Sequence, residues 1–267
     1  ARDGAIVGGS AGLSHNDFLA SEKSWGNFVL KLTFRLEGGR GNSGVQFPSV
    51  RIPGHEMSGY QADVGQDYWG CLYDESRRNK VLVKASDKAL ATVHKDGWNE
   101  YLIQALADHI RLNLNGVKSV EFVETDSSVA RSGRVGLQMH AGGPIGVAFK
   151  DIYIQEVPDP REDSAETPGF HLRTLRSGAE GRKYSVYLPA GYDGSKSFPV
   201  VLFLHGSGER GQDGVVPALV GLGPAIFNNP GGFPAIAVFP QAVKTWEDGS
   251  DDAKVALAVL DEVLATY

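Results

Sequence analysis

From Asn27 to Leu36 apolar residues alternate strictly with the rest. Phe28, Leu30, Leu32, Phe34 and Leu36 share one face, and Lys31, Thr33 and Arg35 share the other. Period two of this kind predicts a β-strand with one face in water. Ile110, Leu112 and Leu114 alternate in the same way with Arg111 and Asn113. Asn115-Gly116 follows, and VKSVEFV then returns. That is a hairpin, since Asn-Gly suits the left-handed backbone of a two-residue turn. Val135, Leu137 and Met139 alternate with Arg134, Gly136 and Gln138. No helical period is visible between Asn27 and Val157. Many short strands joined by Gly-rich turns predict an all-β sandwich or barrel.

The pattern changes at residues 158–169, PDPREDSAETPG, which are charged, Pro-rich and without apolar period. They read as a linker between domains at 1–157 and 170–267. Beyond it, RKYSVYL, PVVLFL and AIAVFP read as strands, the last two apolar enough to be buried on both faces. Helical stretches run from Val215 to Phe227 and from Asp251 to Leu264. Strands alternating with helices predict a mostly parallel sheet.

Composition narrows the function classes. Of 267 residues, 42% are hydrophobic and 22% charged, as in an ordinary globular protein. The net charge is −6 and no basic stripe appears, which argues against a nucleic-acid partner. No apolar run approaches the ~18 residues of a membrane span. Cys71 is the only cysteine, so no intramolecular disulfide can form, and it reads as a small packing residue. The chain opens at Ala1 in what reads as a strand pair and closes at Tyr267 in a helical pattern. Both ends read as cut. Oligomeric state stays open.

His205-Gly206-Ser207-Gly208-Glu209-Arg210-Gly211 follows PVVLFL directly. Its glycines satisfy GxGxxG, but a dinucleotide site also needs an acid ~20 residues on. No Asp or Glu occurs between Gly214 and Trp246. An oxyanion loop is the better reading. Gly206, Ser207 and Gly208 would offer backbone N–H groups to a developing negative charge. YSVYLPAGYDGSKSFPVVLFLHGSGERG, with FPQ and Trp246, resembles the esterase and dienelactone-hydrolase branch of the α/β-hydrolases over residues 170–267. That resemblance implies the front half of an α/β-hydrolase domain. No G-x-S-x-G occurs after residue 205. The chain is expected to stop before its triad, with His205 a loop residue, so this domain is expected to be inactive.

The first domain carries a polar set. Gln61 and Asp63 alternate with Tyr60, Ala62 and Val64; Gln46 lies between Val45 and Phe47; Gln138 and His140 alternate with Leu137 and Met139. On a strand each of these would share a wet face. The loop from Tyr68 to Arg78 adds Trp69, Tyr73, Glu75 and Arg77. Amides and carboxylates bind hydroxyls, and aromatic faces bind the C–H surface of a sugar. Each also has a plain structural role. Asp63 would be a solvated strand residue and His140 a turn cap. Glu75 with Arg77 and Arg78 would be a surface ion cluster, and Trp69 and Tyr73 core residues.

GNSGVQF at 41–47, SGYQADVG at 58–65, YWGCLYDESRR at 68–78, WNEY at 98–101, LNLNGVK at 112–118 and SGRVGLQMHAGG at 132–143 together resemble the 3-keto-disaccharide hydrolase family. The match runs from about Gly4 to Val157. It implies a concanavalin A-like jelly roll and hydrolysis of glycosides already oxidised to a ketone at carbon 3. Such chemistry needs a base for the acidified C–H at carbon 2, an acid for the leaving oxygen and an electrophile for the enolate. For that chemistry the wet-face reading puts Asp63 in one acid/base role and Glu75 or His140 in the other. Arg51 or a backbone donor would hold the enolate, because Pro48 stands where many members carry Arg. Gln46, Gln61, Trp69, Tyr73 and Gln138 would contact the sugar. No cofactor is implied. A divalent metal could replace the electrophile, but no HxH or HExxH spacing supports one. A periplasmic or extracellular location follows from family habit alone. Three alternatives remain: a non-catalytic carbohydrate-binding module, an ordinary two-carboxylate glycosidase, and an esterase whose activity lies in the second domain. Gln61 stands where the leading Glu of an E-x-D-x-x-E strand would be, which counts against the glycosidase.

Overall fold

The computed structural model describes residues 4–158, 161–162, 166–176 and 181–267. The chain divides into two compact units, Ala1–Glu156 and Val157–Tyr267. The first holds twelve strands: β1 (Ile6–Ser10), β2 (Asp17–Ala20), β3 (Phe28–Leu36), β4 (Asn42–Ile52), β5 (Glu56–Gly65), β6 (Leu72–Glu75), β7 (Lys80–Val83), β8 (Asn99–Leu106), β9 (His109–Leu114), β10 (Val117–Val123), β11 (Arg134–Met139) and β12 (Ile145–Glu156). One helical turn, α1 (Asp87–Leu90), interrupts them and is capped by the Ser86 hydroxyl.

The strands form two antiparallel six-stranded sheets, β1-β12-β3-β8-β9-β10 and β2-β11-β4-β5-β6-β7. Their facing sides share one core. Phe28, Leu30, Leu32, Phe34 and Leu36 of β3, Tyr101 and Ile103 of β8, Val45 and Phe47 of β4 and Leu72 of β6 all lie within it. The alternation read for β3 is therefore the alternation between core and solvent. The β9–β10 hairpin turns on Asn115 (φ 50°) and Gly116 (φ 79°), the left-handed pair that Asn-Gly supplies. Trp69 belongs to this core, 8% exposed and 6.3 Å from Phe34 between ring centres. That corrects its assignment to the sugar surface, because the turn after β5 folds it inward.

Among the described residues the second unit has one mixed sheet of five strands. These are β13 (Arg161–Glu162), β14 (Gly169–Thr174), β15 (Lys183–Leu188), β16 (Val200–Leu202) and β17 (Ile236–Pro240), in the order β13-β14-β15-β17-β16. β16 and β17 are parallel, and β15 runs antiparallel to both of its neighbours. Helix α3 (Asp251–Thr266) packs Val255, Val259 and Val263 with Tyr184, Val186 and Val238. Helix α2 (Leu222–Asn228) packs Ile226 in a separate cluster with Tyr187, Ala237 and Phe239. The odd–even split of β15 and β17 between the clusters places them on opposite faces of the sheet. Within the stretch read as a linker, residues 159–160 and 163–165 lie outside the described residues, while Arg161–Glu162 pairs with β14. β17 is buried throughout, as its composition predicted. β16 is not. It is three residues long, it lies at the sheet edge beside β17 alone, and Val201 and Leu204 stay exposed. An apolar run reports the hydrophobicity of a strand but not whether both neighbours are present.

Asp252 fastens the start of α3. Its carboxylate accepts the backbone N–H groups of Val243 (3.1 Å), Lys244 (2.7 Å) and Thr245 (3.1 Å) and an N–H of Arg182 (3.1 Å). Burial alone would raise this carboxyl, but those donors outweigh it and hold it at about 2. A depressed folded-state value stabilises above the ordinary Asp range and is lost as pH falls toward 2. Asp252→Asn, with one acceptor oxygen, is expected to cost about 1–3 kcal/mol at pH 7. The urea midpoints of variant and wild type should converge between about pH 4 and pH 2. A gap that stays constant with pH would contradict this account. No helix among the described residues is long and apolar enough to cross a membrane.

Candidate functional site

The sheet face turned away from the core carries a comb of three glutamines. On neighbouring strands β11, β4 and β5 the same triplet recurs: Gly136-Leu137-Gln138, Gly44-Val45-Gln46 and Gly59-Tyr60-Gln61. The middle residue enters the core each time, so Gly and Gln share the outer face. The glycines make room. A Cβ on Gly44 would lie 2.5 Å from the Gln61 amide, and one on Gly136 would lie 2.6 Å from the Met57 sulfur. Side chains therefore lie flat across the neighbouring strands. Gly59 is required twice over, by its φ of 155° and by the Ser49 hydroxyl 2.1 Å from where a Cβ would sit.

The comb is a directed hydrogen-bond relay. The Ser49 hydroxyl donates to Gln46 Oε1 (2.6 Å), and Gln46 Nε2 donates to Gln61 Oε1 (3.1 Å). Gln61 Nε2 then donates to Asp63 Oδ1 (2.8 Å) and to Gln138 Oε1 (3.2 Å). These residues were expected on a wet face. The structure buries them, with Gln46 and Gln138 at 0% exposure, Gln61 at 2% and Asp63 at 3%. Periodicity separates core from non-core but cannot show that flat-lying side chains roof the other face.

The relay ends at the floor of a cleft of about 250 Å³. Gln61 and Asp63 of β5 line it together with Tyr73 and Glu75, the outward-facing positions of β6. His140, just past β11, lines it as well. The predicted acid/base residues Asp63, Glu75 and His140 thus meet in one place. Asn42, Gln66 and Tyr68 also line it and were not singled out by the pattern. Asn42 opens β4, and Gln66 and Tyr68 belong to the turn after β5, where period two carries no information. The sequence signal available for them was the polar and aromatic content of that turn. Tyr68 and Tyr73 meet edge to face, 6.2 Å between ring centres. Asn42 Oδ1 and Gln138 Nε2 have no hydrogen-bond partner among the described residues. Arg51 is exposed, lies outside the cleft and donates to the Phe18 carbonyl (2.9 Å), which removes it as the enolate's electrophile. Gln46 and Trp69 do not line the cleft, and Gln138 supports it from beneath.

Electrostatics sorts the carboxyls. Burial pushes Asp63 up to about 8. The Gln61 donor opposes this and the Glu75 charge adds to it. Its other oxygen faces the Cys71 thiol at 3.7 Å, and no cation compensates it. Asp63 is therefore a protonated acid at neutral pH. Glu75 is raised too, by burial first and then by Glu56, while His140 opposes the shift. His140 Nδ1 lies 2.6 Å from the Ala141 carbonyl, which can only accept. The Nδ1 proton is thereby fixed, and Nε2 is the nitrogen that can take one. Arg77 and Arg78 belong elsewhere. They hold the fully buried Asp74, one position from Glu75 on the opposite face of β6, and Arg78 also holds Glu124. Among the described residues no cluster of three or more His, Cys, Asp or Glu side chains is placed to hold a metal ion.

In the second unit His205 is a staple. Its Nε2 accepts the Ala242 N–H (2.9 Å), its Nδ1 faces the Gly206 carbonyl (2.6 Å), and Trp246 Nε1 donates to its own carbonyl (2.9 Å). Both ring nitrogens are committed to backbone, as a loop residue requires. Gly206, Ser207 and Gly208 are exposed on the 3-10 turn that follows.

Residues 1–155 match the family model described as the 3-keto-alpha-glucoside-1,2-lyase-like domain. The chain belongs to that family. Membership ties the first unit to carbohydrate chemistry. None of the curated proteins compared with this lyase-like chain matches it. Among solved structures it is similar to a candidate glycosyl hydrolase from Parabacteroides distasonis, at 19% identity over 58% of this chain and 88% of that one, with a TM-score of 0.43. It is also similar to the carbohydrate-binding module CBM66 from Bacillus subtilis, at 15% identity over 57% and 94%, with a TM-score of 0.44. A Bacillus licheniformis beta-glucanase matches at 10% identity over 49% and 67%, with a TM-score of 0.34.

Proposed function

We propose that the first unit cleaves 3-keto glycosides by elimination in the cleft between Asp63, Glu75 and His140. The observation that carries this reading is that Asp63, Glu75 and His140 line one cleft, a buried carboxyl beside an imidazole with a free nitrogen. Asp63 holds its proton at neutral pH, and His140 Nε2, beside the Glu75 carboxylate, is free to accept one. The ketone at carbon 3 acidifies the carbon 2 proton. His140 removes it, with Glu75 stabilising the imidazolium, and the electron pair enters the enolate. The enolate collapses, the bond from carbon 1 to the aglycone oxygen breaks, and Asp63 protonates that oxygen. Asp63 then takes a proton from water, whose hydroxyl adds to carbon 1 as His140 returns its proton to carbon 2. An acid whose value burial pushes toward neutrality, as at Asp63, is what such a proton transfer requires. Asn42, which lines the cleft with an unpartnered Oδ1, suits a sugar hydroxyl.

The test is to incubate the protein with a disaccharide and with its 3-keto form and to follow release of the aglycone sugar. Release from the keto form alone is expected, because the parent sugar lacks the acidified C–H. Equal cleavage of both would indicate a conventional glycosidase. Measurable binding with no cleavage of either would indicate a binding module.

For residues 170–267 we propose the front half of an α/β-hydrolase domain. The support is the mixed sheet with helices on both faces, the parallel β16–β17 pair and the His205 loop directly after β16. Gly206, Ser207 and Gly208 keep their assignment as an oxyanion loop within that proposal.

A further inference from the structure

From Ile52 to Ser76 the chain has five carboxylates (Glu56, Asp63, Asp67, Asp74 and Glu75) and not one Lys or Arg. This stretch supplies most of the cleft wall. The nearest cations in sequence are spent elsewhere. Arg77 donates to Asp74 (2.8 Å), Arg78 is shared between Asp74 and Glu124, and both line a separate recess beside Pro48 and Val129. The alternation of β6 is what sends them away. Asp74 faces one side of the strand with both arginines, and Glu75 faces the other side without them. Arg51 is held by the Phe18 carbonyl. The charged groups acting on Glu75 are Glu56, Asp74 and His140, and the one acting on Asp63 is Glu75. Glu56 is itself fixed by two contacts from Asn16 (2.9 and 3.2 Å) and so cannot swing away.

We propose that the cleft filters sugars by charge, admitting neutral and amino sugars and rejecting those that carry carboxylate, sulfate or phosphate groups. This rests on the carbohydrate reading of the cleft, and it adds a substrate class to that reading. A ligand anion would lie against a half-buried Glu75 with no Lys or Arg among the lining residues to offset it. A ligand ammonium would meet the same carboxylate favourably. Charges about 6 Å apart at a partly buried site interact by a kcal/mol or more, enough for roughly a tenfold change in affinity. The effect is electrostatic and must fade with salt.

The experiment uses the whole chain and three unoxidised probes: methyl glucoside, the corresponding amino sugar and the corresponding uronide. Dissociation constants are measured by NMR titration at ionic strengths of about 0.01 M and about 1 M. At low salt the uronide is expected to bind about tenfold more weakly than the glucoside, and the amino sugar several-fold more tightly. At high salt the three should fall within about threefold of one another. Gln66→Lys, at the exposed mouth of the cleft, should restore uronide binding at low salt, with circular dichroism confirming the fold. Uronide binding as tight as glucoside binding overturns the filter while leaving the carbohydrate reading intact. Binding of none of the three overturns the filter, and turnover of the 3-keto form then decides the carbohydrate reading by itself. Discrimination by charge without turnover of any keto sugar supports the filter and sinks only the elimination chemistry.

Discussion

Asp63→Asn is expected to produce a protein that is more stable and nearly inactive. The stability half follows from linkage. Asp63 is 3% exposed, and burial lifts its carboxyl to about 8. An unfolded Asp loses its proton near 4, so between about 4 and 8 the unfolded chain binds less proton than the folded one. Stability therefore falls as pH rises through that window. Asparagine keeps the shape and accepts from Gln61 without the charge penalty. The variant should melt above the wild type at pH 7–8, by several degrees, and the gap should close below about pH 4. The activity half follows from the proton that Asn cannot give. Turnover of a 3-keto glycoside should fall by roughly 100-fold or more, the usual scale of a lost general acid. A variant destabilised at pH 8 would overturn the electrostatic account. One that retains full turnover would remove Asp63 from the chemistry.

Arg78→Met is expected to cause the largest loss of stability in the first unit. Arg78 reaches both Asp74, at 0% exposure, and Glu124, at 3%. Burial would raise Glu124, but the hydrogen bonds from Arg78 and Tyr60 hold it at about 2. Methionine fills similar volume and removes the guanidinium. Asp74 then keeps the Arg77 contact, while Glu124 keeps only neutral donors, the Tyr60 hydroxyl and the Asp126 N–H. Removing one partner of a buried ion pair costs 3–5 kcal/mol, and about 3 is expected here because Arg78 itself reaches water. Urea unfolding measures the loss. Adding Glu124→Gln should recover part of it, since the stranded charge is then gone. No recovery in the double variant would mean that packing, and not the stranded charge, sets the cost.

The contrast between Asp63 and Glu124 shows what sequence can and cannot convey. Both are buried carboxyls on or beside a strand. One has only neutral donors and stays protonated; the other has Arg78 and stays charged. Alternation in β3, β9 and β11 was legible because core and non-core faces impose period two directly. Asp63, Glu75 and His140 were named from strand alternation, and that they line one cleft is what the structure adds. Burial of the glutamine comb was not legible, because it depends on glycines from three strands coming side by side. The exile of Arg51, Arg77 and Arg78 from the cleft was not either. Arginines near a site in sequence look like site residues until strand parity and a buried Asp74 claim them.

The comb gives the cleft two kinds of position with very different freedom to change. Its floor is woven into the sheet, with Gly44, Gly59 and Gly136 each admitting a side chain or backbone that a methyl group would displace. Its rim, at Gln66, Tyr68 and His140, hangs from turns and strand ends. Re-aiming the cleft at a different sugar is therefore a task for the rim. A library that randomises Gln66 and Tyr68, with the base His140 left in place, would sample new ligands on an unchanged scaffold. One that randomises the floor would mostly return chains that no longer fold.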